Sequence, residues 1–413
     1  MSEQIRVSLP GEGQFLLREL LTTSLVYLAC FSESRLETPD SNTIIVKPGD
    51  IKRGLEELIV ECTKILQEIP AERVVIGNDL RNILPRVTST LGGEAKGGKV
   101  KDKLLTLFRL YQNYVLSKDE GELIRELAED LSNVFVRSES RRRRGSKTER
   151  EDKYMCFAPL TIFKLQYAEY TRSITSNVKI SDCFRIRLHT LVLGLAGAIL
   201  GLCSVAEDKI TLLLMTPEDA EFRYSEVDSA KMHERINEHR EIKHRLRYYA
   251  SETCRLLHIA LVRPSMSGLY KIFEMYTSSN RLDLIRVTTL GIKDTRLALF
   301  AKYLEERARN EEWARRLKDK LAKLVELAAA SGQRRDIEPQ IKHALVDIVE
   351  KLYIVIENYD NVDLRERLLY DISRTSLAYR LTTSKDLQRY VHLLPTLYDV
   401  ALIRRILDEL QSR

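Results

Sequence analysis

The stretch LVLGLAGAILGLC, Leu191 to Cys203, and the run KITLLLMT, Lys209 to Thr216, that follows it after five residues together decide the fold class. The first is an apolar segment well short of the roughly 20 residues that span a bilayer, so it is expected to be a buried helix. Gly194, Gly197, Ala198 and Gly201 recur at three- and four-residue spacing, which leaves one face nearly bare for another backbone to approach. The second is a continuous apolar run ending at Pro217, the pattern of a strand buried on both faces. Both elements need a domain around them.

Outward toward the N-terminus, helix and strand alternate. Gln14 to Phe31 reads as a helix, Thr43 to Lys47 as a short strand and Arg73 to Ile76 as another. Ile51 to Ile69 carries Leu55, Leu58, Ile59, Cys62 and Leu66 on one helical stripe, and helices return at Leu104 to Leu116 and Glu120 to Val136. Toward the C-terminus, from about Glu226, nearly everything has helical periodicity, with a strand permitted only at Asp283 to Leu290. The chain is therefore predicted to be mainly α: a mixed α/β region with a few short strands over residues 1–225, then a helical bundle over residues 226–413.

With 413 residues, 44% hydrophobic and 31% charged, this is an ordinary globular composition that excludes a disordered or collagen-like chain. Asn and Gln are scarce beside Glu, Lys and Arg, the lean of a protein that works hot. Cys30, Cys62, Cys156, Cys183, Cys203 and Cys254 form no CxxC pair; their scatter through apolar stretches predicts buried, reduced thiols in a cytoplasmic protein without a zinc ribbon.

The net charge of +6 is too small to announce a nucleic-acid partner, so the distribution of charge matters more. Two segments concentrate it. LGGEAKGGKVKDK, Leu91 to Lys103, reads as a flexible basic loop, with Lys96, Lys99, Lys101 and Lys103 as candidate phosphate contacts. RSESRRRRGSKTEREDK, Arg137 to Lys153, carries eight cations against four anions and reads as a second loop, with Arg141, Arg142, Arg143, Arg144 and Lys147 as candidates. Arg240 and Lys243 on the basic helix MHERINEHREIKHRLR complete the candidate set. Phe108, Tyr111, Tyr114, Tyr154, Phe157, Tyr167, Tyr170, Tyr248 and Tyr249 lie near these segments; such rings either stack on unpaired bases or pack at core edges, and packing is the commoner use.

Catalytic patterns are weak. Gly93 to Lys99 satisfies G-x-x-x-x-G-K, but Val100 stands where a phosphate-binding loop needs Ser or Thr for magnesium, and no convincing strand feeds it. His233, His239 and His244 are spaced by six and five, which spreads them around a helix and away from a metal-binding i, i+4 pair. No catalytic residue, cofactor or metal is expected.

A mixed N-terminal region with basic loops, then LVLGLAGAILGL running into KITLLLMTPED, then an all-helical C-terminal bundle, resembles the large subunit of archaeal type I-A CRISPR interference complexes. The likeness lies in the order of elements over most of the chain. It implies a non-catalytic subunit of a crRNA-guided DNA interference complex, with DNA, guide RNA, other subunits and a separate helicase-nuclease as partners and no membrane. Base pairing would read most of the target while the protein grips backbone. The cysteine cluster of some relatives has no counterpart in Cys156, Cys183 and Cys203, which stand too far apart. Two other classes fit the same residues: a protein-only helical scaffold or viral assembly component, and a nucleic-acid-processing enzyme whose site has no sequence signature.

Overall fold

The computed structural model describes residues 4–10, 16–71, 74, 76, 78–93, 98–134, 136–137, 156–157, 160–164, 184–205, 209–218, 226–246, 254, 257, 260–261, 270–278, 281–290, 296–330, 339–381 and 390–412. Among them the chain is mainly helical, and all strands precede residue 291. It divides into two compact units, Met1–Arg240 with Gly268–Thr289, and Glu241–Ser267 with Leu290–Arg413. Residues 226–240 and 268–289 thus join the N-terminal unit and not the helical one.

In chain order the elements begin with β1 (Ile5–Ser8), α1 (Leu17–Phe31), β2 (Arg35–Asp40), β3 (Thr43–Lys47), α2 (Ile51–Glu68), α3 (Leu84–Leu91), α4 (Val100–Ser117) and α5 (Glu120–Ser132). Then come β4 (Val136–Arg137), β5 (Cys156–Phe157), β6 (Phe184–Arg187), α6 (Leu188–Leu200), β7 (Leu202–Val205), β8 (Lys209–Met215), α7 (Ser229–Leu246), β9 (Tyr270–Ser278) and β10 (Arg281–Leu290). The helices α8 (Arg296–Asn310), α9 (Glu312–Ala330), α10 (Pro339–Glu357), α11 (Val362–Arg380) and α12 (Leu397–Gln411) follow.

The core of the first unit is the crossing of α1 and α6. Every residue of α6 is buried, as is α1 from Leu17 to Cys30, because α1 packs on α6, α2 and the face of β8. Gly197 sits directly over the Leu20 carbonyl, the close backbone approach that its spacing predicts. β8 lies inside the antiparallel sheet β10-β9-β8-β7, and its Ile210 to Met215 are buried. β9 pairs with β8 along its length, Lys209 opposite Tyr276 through Met215 opposite Tyr270. The helical reading of residues 226–413 is corrected here: Tyr270, Ile272, Phe273 and Met275 are buried against a sheet. A second sheet, β1-β3-β2, is antiparallel with Ile5 opposite Val46 and Val7 opposite Ile44.

Two polar networks cross this core. The guanidinium of fully buried Arg18 donates to the Pro10 carbonyl (3.0 Å) and Asn42 Oδ1 (2.8 Å) and pairs with Glu218. Lys271 Nζ lies 2.9 Å from buried Glu19 and 3.8 Å from Glu218, so two cations face two carboxylates. Burial pushes the Glu19 carboxyl up from its ordinary value, and Lys271 opposes that. In the second network His239 Nε2–H donates to the Leu213 carbonyl (2.9 Å), which leaves Nδ1 to accept from the Tyr27 hydroxyl (2.9 Å). His239 therefore ties α7 to β8 and α1.

The second unit holds the bundle α8–α12. α10 buries Ile341, Leu345, Ile348, Leu352 and Val355 at helical spacing against its neighbours α9 and α11. Glu357 accepts from the Leu297 N–H (3.0 Å) at the start of α8, while Arg296 takes Asp360 (2.8 Å) and the Glu357 carbonyl (2.8 Å). No described helix is long and apolar enough to cross a membrane.

Candidate nucleic-acid interface

Between Leu80 and Leu110 stand Arg81, Arg86, Lys96, Lys99, Lys101, Lys103 and Arg109 against Glu94 and Asp102, a net of +5 where the whole chain carries +6. Among the described residues of this stretch, α3, α4 and a 3₁₀ turn at Asn78–Asn82 pack on one another as a helical hairpin. α3 ends at Gly92, whose left-handed φ of 73° only glycine adopts without strain. α4 begins at Val100 because Asp102 reaches back to accept from the Lys99 N–H (3.1 Å), and because a carboxylate suits a helix N-terminus. The predicted loop Leu91 to Lys103 is accordingly shorter. Leu91 closes α3, and Lys101 and Lys103 belong to the first turn of α4.

Helix α4 cannot slide on the rest of the unit, since Leu104, Leu107, Phe108, Tyr111 and Val115 bury one stripe. The Tyr111 hydroxyl hydrogen-bonds His189 Nδ1 (2.6 Å), and His189 Nε2 stands 3.7 Å from Glu126 on α5, an ion-pair separation. Glu126 also accepts from the Tyr114 hydroxyl (2.6 Å) and Lys118 (2.9 Å). Asp130 accepts from the His189 N–H (3.2 Å) at the start of α6. Six side chains thus lock α4, α5 and α6 together. His189 foremost, then Tyr114 and Lys118, holds the Glu126 carboxyl down at about 2 against an ordinary 4.5. Burial, above all, raises Asp130.

A depressed carboxylate stabilises the fold above its unfolded pKa and loses that contribution as pH falls through its folded one. The lock should therefore weaken between pH about 4.5 and about 2. Thermal melts across that window should show a falling midpoint for the wild type and a flatter profile for Glu126→Gln, which cannot titrate.

The predicted site residues fall into three groups. Lys99, Lys101 and Lys103 come together on the hairpin, but the Lys101 ammonium closes the end of α2, donating to the Gln67 (3.1 Å) and Ile69 (2.7 Å) carbonyls. Arg240 pairs with Glu61 (2.8 Å) and lies over the Tyr27 ring, linking α7 to α2 and α1, and Lys243 is half-buried farther along α7. Lys96, Arg141, Arg142, Arg143, Arg144 and Lys147 lie outside the described residues, as does most of Arg137 to Lys153.

Sequence reading missed Arg81, Arg86 and Arg109, which are exposed around the hairpin. Arg86 lies over the Phe157 ring at 6.0 Å. Among the described residues no carboxylate lies within ion-pairing distance of Arg81, Lys103 or Arg109, whereas Arg18, Arg53, Arg187 and Arg240 all have one. The rings near this segment are core: Phe108, Tyr111 and Phe157 are buried, and the Tyr114 hydroxyl is held by Glu126. The Gly93–Lys99 string follows helix α3, and not the strand that feeds a phosphate-binding loop. Among the described residues no cluster of three or more His, Cys, Asp or Glu side chains is placed to hold a metal. Protein families, curated proteins and solved structures offer no match to this chain.

Proposed function

We propose that the chain is a non-catalytic nucleic-acid-binding protein that grips the phosphate backbone through the α3–α4 hairpin. One observation carries this: the residues from Leu80 to Leu110 carry a net charge of +5, and Arg81, Lys103 and Arg109, on a hairpin anchored in the unit, have no carboxylate partner among the described residues. Unpaired cations in a cluster release counterions when they meet phosphates, and a rigid mount lowers the entropy lost on binding. The order of elements favours a narrower role within this one, the large subunit of a crRNA-guided DNA interference complex, where guide, target DNA and other subunits are partners and no chemistry is required of the chain.

Fluorescence titrations of labelled duplex and single-stranded DNA with the full chain test it. Arg81→Ser, Lys103→Ser and Arg109→Ser together should weaken binding about tenfold or more at moderate salt while circular dichroism stays unchanged. Undiminished affinity in the triple variant would remove the hairpin from the interface.

A further inference from the structure

The outer side of α11 presents a second surface, independent of the basic hairpin. Asp363, Arg367, Tyr370, Arg374, Leu377 and Leu381 are all exposed and alternate in spacing by four and three. That is the 3.5-residue repeat by which one helix packs along another. Tyr370 is 66% exposed, Leu377 51% and Leu381 74%, so three large apolar side chains stand open along one helix face. Arg380 donates to the Leu394 carbonyl (2.8 Å), which holds the end of α11 beside the segment entering α12, where Leu397 and Tyr398 are also exposed at 72% and 65%.

The charges within the strip identify what fits it. The inner arginine Arg365 pairs with Asp408 (2.8 Å), and Arg404 with Glu366. Arg367 and Arg374 have no carboxylate within ion-pairing distance among the described residues, and they lie one heptad apart between the apolar positions. We infer that this face docks an acidic amphipathic helix of a partner protein, with apolar residues against Tyr370, Leu377 and Leu381 and two carboxylates seven residues apart opposite Arg367 and Arg374. A second copy of the chain fits poorly. An antiparallel register that sets Asp363 against Arg374 of the copy carries Leu377 and Leu381 beyond the start of the facing helix. A register that pairs the leucines carries the arginines beyond its end.

The test uses the full chain and two fluorescein-labelled three-heptad helical peptides, identical except that glutamates seven residues apart in the first are lysines in the second. The glutamate peptide should bind the wild type about tenfold more tightly than the lysine peptide. Arg367→Glu with Arg374→Glu should reverse that preference, and Leu377→Ser with Leu381→Ser should abolish binding of both. Equal binding of the two peptides, no binding of either, or a preference unmoved by the charge swap would overturn the inference. So would sedimentation showing a dimer that Leu377→Ser with Leu381→Ser dissociates, since that would assign the face to a second copy.

Discussion

Gly197→Ala should destabilise the first unit by about 3 kcal/mol or more, because the added methyl has no space and its obstacle cannot yield. A Cβ at this position would lie on top of the Leu20 carbonyl, and next to its Cα (3.0 Å), so the obstacle is backbone. Relief requires α1 and α6 to separate, which opens the most buried packing in the unit. The expected sign runs against helix propensity, which by itself favours alanine over glycine by about 1 kcal/mol. Two controls bracket the effect. At Gly194 the added methyl meets Leu17 Cδ1 (2.8 Å) and the Phe163 ring (2.8 Å), side-chain atoms that can shift, so the loss should be smaller. At Gly121 it meets only Asp119 Oδ2 (3.3 Å), and alanine should be neutral or slightly stabilising. Urea melts of the three variants check the order; a Gly197→Ala protein as stable as wild type would mean that the two helices do not cross there.

Arg18→Met should cost about 3–5 kcal/mol, the effect of breaking a buried ion pair by removing one partner. Arg18 is fully buried, and its loss leaves Glu218 facing Lys271 at 3.8 Å, while Lys271 already serves Glu19 at 2.9 Å. It also strands the Pro10 carbonyl and Asn42. Despite the burial that pushes the other way, Lys271 and then Arg18 hold the Glu218 carboxyl below its ordinary value, so the variant should take up a proton at higher pH. Arg18→Met with Glu218→Leu should recover much of the loss, because the pair is replaced by apolar packing. Denaturant midpoints of wild type, both single variants and the double give the coupling; a double loss equal to the sum of the two single losses would show that the charges act independently.

How much of this was legible follows from how local each signal is. Helix α6 and strand β8 are visible because their burial on all sides leaves uninterrupted apolar runs, and Gly197 is visible because close packing leaves a spacing in the sequence. Strand β3 is found from Thr43 to Lys47 for the same reason. The strand allowed at Asp283 to Leu290 falls within β10, but β9 is missed because no glycine stands between the two and YKIFEMYTS mixes apolar and polar residues without clean alternation; only its aromatic and β-branched content points to a strand. Val100 to Lys103 falls within the predicted loop because glycines and lysines dominate Leu91 to Lys103, yet one carboxylate, Asp102, starts the helix there. The candidate site is legible as charge but not as geometry. Lys101 is engaged by carbonyls more than thirty positions away and Arg240 by Glu61, contacts that exist only once α2 has packed against α4 and α7. Arg81 and Arg109 lie outside the glycine-rich string, on a 3₁₀ turn and a helix that pack together only in the folded hairpin.

Phosphate contact through a fixed cluster of cations makes one quantity decisive, the dependence of DNA affinity on salt. With at least three phosphates engaged, the logarithm of the association constant should fall with the logarithm of salt at a slope of about −2.7 on duplex DNA, roughly 0.9 per contact. Removing Arg81, Lys103 and Arg109 together should flatten that slope toward zero. A slope near zero for the wild-type chain, or a steep one unchanged in the triple variant, would contradict binding through the α3–α4 hairpin.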